Sequence, residues 1–174
     1  MAIVKANYTR QGSVAKASVR YIENRPGKDG ARVVRTLFNA DGKVGRADVY
    51  TMIDQADKHS YFFRLVISPD PQTEDKDKAL SLRELTEKAI ASLEARFRQP
   101  LQWVAAIHAD HAEHRHIHAI AIVPERLNVQ DFQTMKRAAT EAALGQRQER
   151  ALAREQQELN QAQSEGLGLE VSLW

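Results

Sequence analysis

Five of the six histidines fall between positions 108 and 118, inside the stretch IHADHAEHRHIHAIAIVP (residues 107–124). Neutral imidazole is the commonest protein ligand for a metal, so the question is whether this spacing lets several rings meet. In a strand, alternate residues share a face. On 116–123, His116, His118, Ile120 and Ile122 therefore point one way, and Ile117, Ala119, Ala121 and Val123 the other. The preceding run LQWVAAIHAD reads as the other strand of a hairpin, with Val104, Ala106 and His108 on one face. A turn symmetric about Ala112 sets His108 opposite His116 and Ala106 opposite His118, and directly opposed residues have Cβ atoms about 4.5–5.5 Å apart on one face. His108, His116 and His118 thus converge. Three neutral nitrogens from a rigid sheet, with coordination positions left over, suit a catalytic divalent metal that polarises a phosphate or carbonyl oxygen.

Around that triad, Asp110 lies two residues beyond His108 and is expected to orient an imidazole as a supporting carboxylate. His114 continues the alternation and is a candidate fourth ligand, proton carrier or phosphate contact; His111, in the turn, is expected at the plain surface. A single histidine is usually a surface or satisfied core residue. Three on one strand face, beside an alternating apolar set, are hard to place in a core. A three-histidine site serves several chemistries. The absence of HExxH, GxSxG and a second carboxylate cluster weakens the metalloprotease and esterase readings, and with no cysteine there is no thiolate site. Metal-assisted phosphoryl transfer can use a tyrosine nucleophile, and four exist: Tyr8, Tyr21, Tyr50 and Tyr61.

The elements that must position these groups follow from periodicity. Residues 2–8 read as a strand, and Ser13 is placed to cap a helix that runs to the RPGKDG turn. On that helix Ala15, Val19 and Ile22 make the better core stripe, with Val14, Ala17 and Tyr21 on the neighbouring face. Residues 31–38 are strand-like and 46–57 helical, while YFFRLVIS (61–68) reads as the middle strand of the sheet. Ser81 and Glu84 form a capping box for a helix over 82–98, whose stripe is Leu82, Leu85, Ala89, Leu93 and Phe97. From about Val129 to Gln163 the composition is helical. Phe132, Met135, Ala139 and Ala142 form a packing stripe, after which the helix turns polar all round, and the alternation at 167–173 suggests an edge strand. The expected fold is α+β: an antiparallel or mixed sheet of about five strands with helices mainly on one face. Residues 1–128 form the core, and 129–174 a long helix and tail packed on it or extending from it.

Composition bounds the rest. At 174 residues and 43% hydrophobic, the chain supports one compact core. MAIVKANYTRQGS has no long apolar run, and no stretch is long enough to span a bilayer, so a soluble cytoplasmic protein with no membrane partner is expected. Net charge is only +2, yet residues 1–50 carry ten Lys and Arg against four acids. Such clustering is how a protein attracts phosphates.

The pattern His108-x-Asp110 followed by His116-Ile117-His118 resembles the metal-binding motif of relaxases, the mobilization nucleases of the HUH endonuclease superfamily that start plasmid conjugation. GSVAKASVRYIENRPGKDG resembles that family's helix bearing the catalytic tyrosine, FFRLVISPDP its central strand, and the likeness spans roughly residues 1–125. Relaxases place the tyrosine before the histidines, whereas the related replication initiators and transposases place it after. No tyrosine follows residue 61 here. The resemblance implies an antiparallel sheet with the metal on one face and transesterification of a specific phosphodiester in single-stranded DNA at an origin of transfer. A 5′-phosphotyrosyl intermediate forms and a 3′-hydroxyl is released. It makes Tyr21 the nucleophile, with Tyr8 next, and His108, His116 and His118 the ligands of magnesium or manganese. An all-imidazole set by itself also suits zinc, cobalt or nickel. Arg20, Arg25, Lys28, Arg32 and Arg35 are expected on the DNA backbone, and relaxosome accessory proteins as further partners. The competing readings are a noncatalytic metal-stabilised single-stranded DNA-binding module, a hydrolase acting through water, and an HUH replication initiator or transposase nuclease.

Overall fold

The computed structural model describes residues 1–110 and 114–171, with side chains described as far as residue 164. The chain order is β1 (Ile3–Thr9), α1 (Gly12–Asn24), β2 (Phe38–Asn39), β3 (Gly42–Lys43), α2 (Arg46–Asp54), β4 (Tyr61–Ser68), α3 (Leu82–Phe97), β5 (Gln102–His108), β6 (His116–Val123) and α4 (Val129–Val171). The strands form one open sheet in the order β1-β4-β6-β5-β2-β3, antiparallel at every pairing. Among the described residues there are six strands where about five were expected, because 31–38 does not pair as one strand. Only Phe38 and Asn39 join the ladder, and the chain then doubles back through Gly42, whose φ of +124° is one that glycine adopts readily. Residue 35 leaves the ladder because its backbone N–H is given to the Glu23 carbonyl at the end of α1.

Helices cover both faces, not mainly one. On β5 and β6 both alternating sets are apolar for most of their length, so each face has hydrocarbon to bury. One side packs Leu85, Ala89 and Leu93 of α3 and Met135 and Ala139 of α4 onto Leu65, Ile117 and Ala119. The other packs Ala15, Val19 and Ile22 of α1 and Val49 and Ile53 of α2 onto Phe62, Val104 and Ile120. β4 is interior but not central. It lies between β1 and β6, and β6, buried from Ile117 to Val123, is the axis of the fold.

Helix α1 begins one residue before Ser13, with Gln11 as its cap and no side-chain capping bond, so Ser13 sits inside the first turn. Its buried stripe is the expected Ala15, Val19 and Ile22, which leaves Val14 and Tyr21 exposed at 43% and 44%. Ser81 caps α3 by accepting from the Glu84 N–H, but the return bond comes from elsewhere: Gln146 of α4 accepts from the Ser81 N–H at 2.7 Å and donates to its carbonyl at 3.2 Å. Asn128 and Asp131 cap α4 reciprocally, Asn128 N–H to Asp131 at 2.7 Å and Asp131 N–H to Asn128 Oδ1 at 3.1 Å. At 43 residues α4 is about 65 Å long, and residues 151–164 are exposed on every side. Its backbone stays helical through Val171 in place of the edge strand expected over 167–173, of which residues 172 and 173 lie outside the described residues. Among the described residues no helix is long and apolar enough to cross a membrane.

Stability should therefore divide along α4. Met135→Ala removes a fully buried side chain and should cost about 2–5 kcal/mol in urea unfolding, whereas polar substitutions at Leu152 and Leu159 should each change it by less than about 0.5 kcal/mol.

Candidate metal centre

The β5–β6 register pairs His108 with His116 and Ala106 with His118. Opposed residues share a face, so the three histidines stand together, and the small Ala106 leaves the His118 ring space across the ladder. Ring centroids are 4.5 Å apart for His108 and His118, 5.1 Å for His116 and His118, and 5.4 Å for His108 and His116. Candidate ligand atoms, one from each ring, lie within 4.8 Å of one another, so a single ion can collect all three with small side-chain rotations.

The hydrogen bonds around the rings assign their nitrogens. His108 Nε2 lies 2.8 Å from the carbonyl oxygen of Ile22, which can only accept, so Nε2 carries the proton and donates. That leaves Nδ1 with the lone pair, and this buried atom meets no hydrogen-bond partner among the described residues. His116 Nδ1 lies 3.2 Å from the His114 carbonyl and donates to it, which makes Nε2 the lone-pair nitrogen of that ring. Both nitrogens of His118 are buried and likewise meet no partner. Buried polar atoms left unsatisfied are expensive, and a cation would satisfy His108 Nδ1 and the lone-pair nitrogen of His118, so the donor set fits a bound metal. The C-terminal end of α1, whose carbonyls carry the negative end of the helix dipole, faces the same spot and favours positive charge there.

Burial shifts the rings strongly. Desolvation, only partly opposed by the bond to Ile22, brings His108 down to about 4. Desolvation and then the neighbouring charges of His108 and His116 bring His118 down to about 3. Both stay neutral, as ligands must, across the physiological range.

Tyr21 reaches the cluster. Its ring is 6.3 Å from that of His118, edge to face, and the Arg25 guanidinium lies 5.6 Å from its centroid. The other tyrosines do not reach it. Tyr8 pairs with Phe63, putting its side chain on the α3–α4 side of the sheet, where it stacks on Tyr61 and Phe63; it is not an auxiliary group of this site. Tyr50 lies on α2 with its hydroxyl toward the Lys16 carbonyl.

Three further assignments change. Arg35 was expected on DNA but is buried, and its guanidinium is held by Asp110, Nε to Oδ1 at 3.1 Å and Nη2 to Oδ2 at 2.6 Å, while Nη1 donates to the Arg25 carbonyl at 2.7 Å. Among the described residues Asp110 correspondingly pairs with Arg35 and not with an imidazole. Burial raises its carboxyl, and the hydrogen bonds and charge of Arg35 overcome this and hold it below the usual carboxylate range. The pair is a clamp that fastens the end of β5 to the end of α1. His114 is exposed, lies before β6 begins and lines a cavity with residues of the 69–78 loop, so it is no fourth ligand. His111 lies outside the described residues. Arg20, Lys28 and Arg32 are exposed and Arg25 half-buried. Arg64, which the reading of 61–68 as apolar passed over, shares the histidine face and acts electrostatically on His118. A charge interrupting YFFRLVIS was the available signal.

No protein-family model matches this chain, and no curated protein matches it.

With chelator present, the unfolded chain should take up protons on residues 108 and 118 below about pH 6.5, while the native chain does so only near 4 and 3. Stability is thus fullest above pH 6.5 and should fall as pH drops below it, by at most about 1.4 kcal/mol per pH unit per ring, measurable as urea midpoints at pH 7.5 and 5. Manganese or zinc at pH 7.5 should raise the melting temperature, and His118→Ala should weaken that metal binding at least tenfold, read by calorimetry.

Proposed function

We propose that this chain is a relaxase-type nuclease of the HUH endonuclease kind, which nicks and rejoins single-stranded DNA at an origin of transfer during plasmid mobilization. The observation that carries the reading is the meeting, on one sheet face, of three imidazoles from adjacent strands with a phenol from a helix nearly a hundred residues earlier. The tyrosine precedes the histidines in the chain, the order relaxases use. An antiparallel sheet carrying the site on one face agrees with the expected architecture.

In this reading His108, His116 and His118 hold a divalent metal, magnesium or manganese by the family resemblance, with zinc, cobalt and nickel also suited to imidazole. The bound ion supplies Lewis acidity to a nonbridging phosphate oxygen. The Tyr21 oxygen attacks phosphorus and the bond to the 3′ oxygen breaks. The phenolic proton passes to solvent, on which the half-exposed ring opens, and the departing 3′ oxygen gains a proton to become a hydroxyl. Reversal reseals the strand. Arg25, beside the Tyr21 ring, favours the negative charge of the phosphate. Ile22 adjoins Tyr21 and receives the His108 N–H, so the bond that fixes a ligand also fixes the nucleophile's helix. Arg20, Lys28 and Arg32 extend the positive surface along the strand's phosphates. A cytoplasmic location and relaxosome accessory partners belong to the same reading.

Incubation with single-stranded DNA from conjugative plasmid origins and manganese should give a covalent protein–DNA adduct, mapped by peptide mass to Tyr21. Tyr21→Phe should abolish the adduct, Tyr8→Phe should leave it within about twofold, and chelator should suppress it. Cleavage without an adduct would replace this reading with a hydrolase acting through water; binding with an intact strand would replace it with a DNA-binding module.

A further inference from the structure

Beside the imidazoles, on the same side of the sheet, a cavity of about 260 Å³ opens between α1 and the β1–β4 edge. Val14, Phe62 and Ile120 give it apolar walls, Asn7, Ser18 and Arg64 polar groups, and Tyr8, Thr9 and Ala15 also border it. It adjoins the metal centre. Ile120 is the next residue after His118 on that face of β6, about 7 Å along the strand, and Ser18 precedes Tyr21 by one turn of α1. Helices α1 and α2 cover the β6–β5 half of this face, while Asn7 on β1 stays exposed and Arg64 on β4 half-buried.

The polar atoms are fixed in a definite sense. Arg64 Nε donates to Asn7 Oδ1 at 3.1 Å, so the amide oxygen is engaged and the amide NH₂ is left to donate. The terminal nitrogens of Arg64 also only donate. The Ser18 hydroxyl gives its proton to the Val14 carbonyl at 3.1 Å. Asn7 and Arg64 therefore reward a ligand with apolar faces and an edge of acceptors, and the Ser18 oxygen can accept from a donor on the same ligand, which describes a nucleobase. Among the bases, guanine presents O6 and N7 side by side and is the one arginine grips. Adenine recognition by asparagine needs the amide oxygen and NH₂ together, and here Arg64 occupies one of the two lone pairs of that oxygen and turns it toward β4.

We propose that this cavity seats one unstacked base of the DNA strand, adjacent to the scissile phosphate, and selects guanine there through Asn7 and Arg64. The inference rests on the nuclease reading and deepens it, giving that site a base-specific position distinct from the phosphate contacts of the basic loop. Val14, Phe62 and Ile120 pack on the faces of the base, as apolar side chains do around bases taken out of a stack.

The test incubates the full chain and manganese with a pool of random single-stranded DNA oligonucleotides and sequences the strands retained. Wild type should enrich guanine at one position by about tenfold or more. Asn7→Asp keeps an acceptor for Arg64 Nε but replaces the NH₂ donor by a carboxylate oxygen. It should move that one position toward cytosine or adenine, which offer amino donors, and leave the others unchanged. Asn7→Ala should flatten the preference without creating a new one, with melting temperatures checking that both variants fold. An identical sequence profile for wild type and Asn7→Asp, or an equal loss of affinity for all sequences, overturns the base pocket and leaves a phosphate contact. If wild type retains no strand from the pool, the nuclease reading falls and the pocket falls with it.

Discussion

The hydrogen bond between His108 and the Ile22 carbonyl joins the two halves of the candidate site. It lies at the C-terminal end of α1, where the last carbonyls have no partner within the helix. His108 satisfies the one at Ile22 and the Arg35 backbone the one at Glu23, so the helix end is closed by the strand and loop that must lie against it. The same bond selects the His108 tautomer and presents Nδ1 to the cluster. Tyr21 stands one residue before Ile22, so its position relative to the imidazoles follows from how that helix end is tied. The Arg35–Asp110 clamp reinforces the tie a few residues away, with a guanidinium divided between a carboxylate and the Arg25 carbonyl.

The cluster also carries a cost. Burying imidazole nitrogens without partners works against folding, and these rings lie where β5 and β6 would otherwise continue as hydrocarbon. The rest of the sheet offsets it. β6 is buried from Ile117 to Val123, with helices on both sides, so the histidine end rests on a core that does not depend on it. A rigid pair of strands is also what would hold these rings in place for a metal.

Much of this was legible in residue order. Alternation on 116–123 and the placing of the turn at Ala112 led to the register His108–His116, and the stripe on 13–24 separated Tyr21 from the core-facing Ala15, Val19 and Ile22. Less legible were features decided by partners distant in the chain. Arg35 read as one more cation in a basic loop, because nothing local marks a guanidinium destined for a carboxylate 75 residues away. Tyr8 stayed in the reading behind Tyr21 as an auxiliary group, since a strand's periodicity says which residues share a face but not which face meets the histidines. The number of helical layers was misjudged for the same reason, although the two-sided apolar pattern of β5 and β6 contained the hint.

By itself the order of residues determined the strand faces, the hairpin register and the helix stripes, because these depend on periods of two and 3.6 residues and on a short turn. Only the tertiary structure decided that α1 lies with its C-terminal end over the imidazoles, that Asp110 binds Arg35, and that Tyr8 sits behind the sheet. Those outcomes depend on which surfaces pack together and on which buried polar groups find partners, and no local period encodes either.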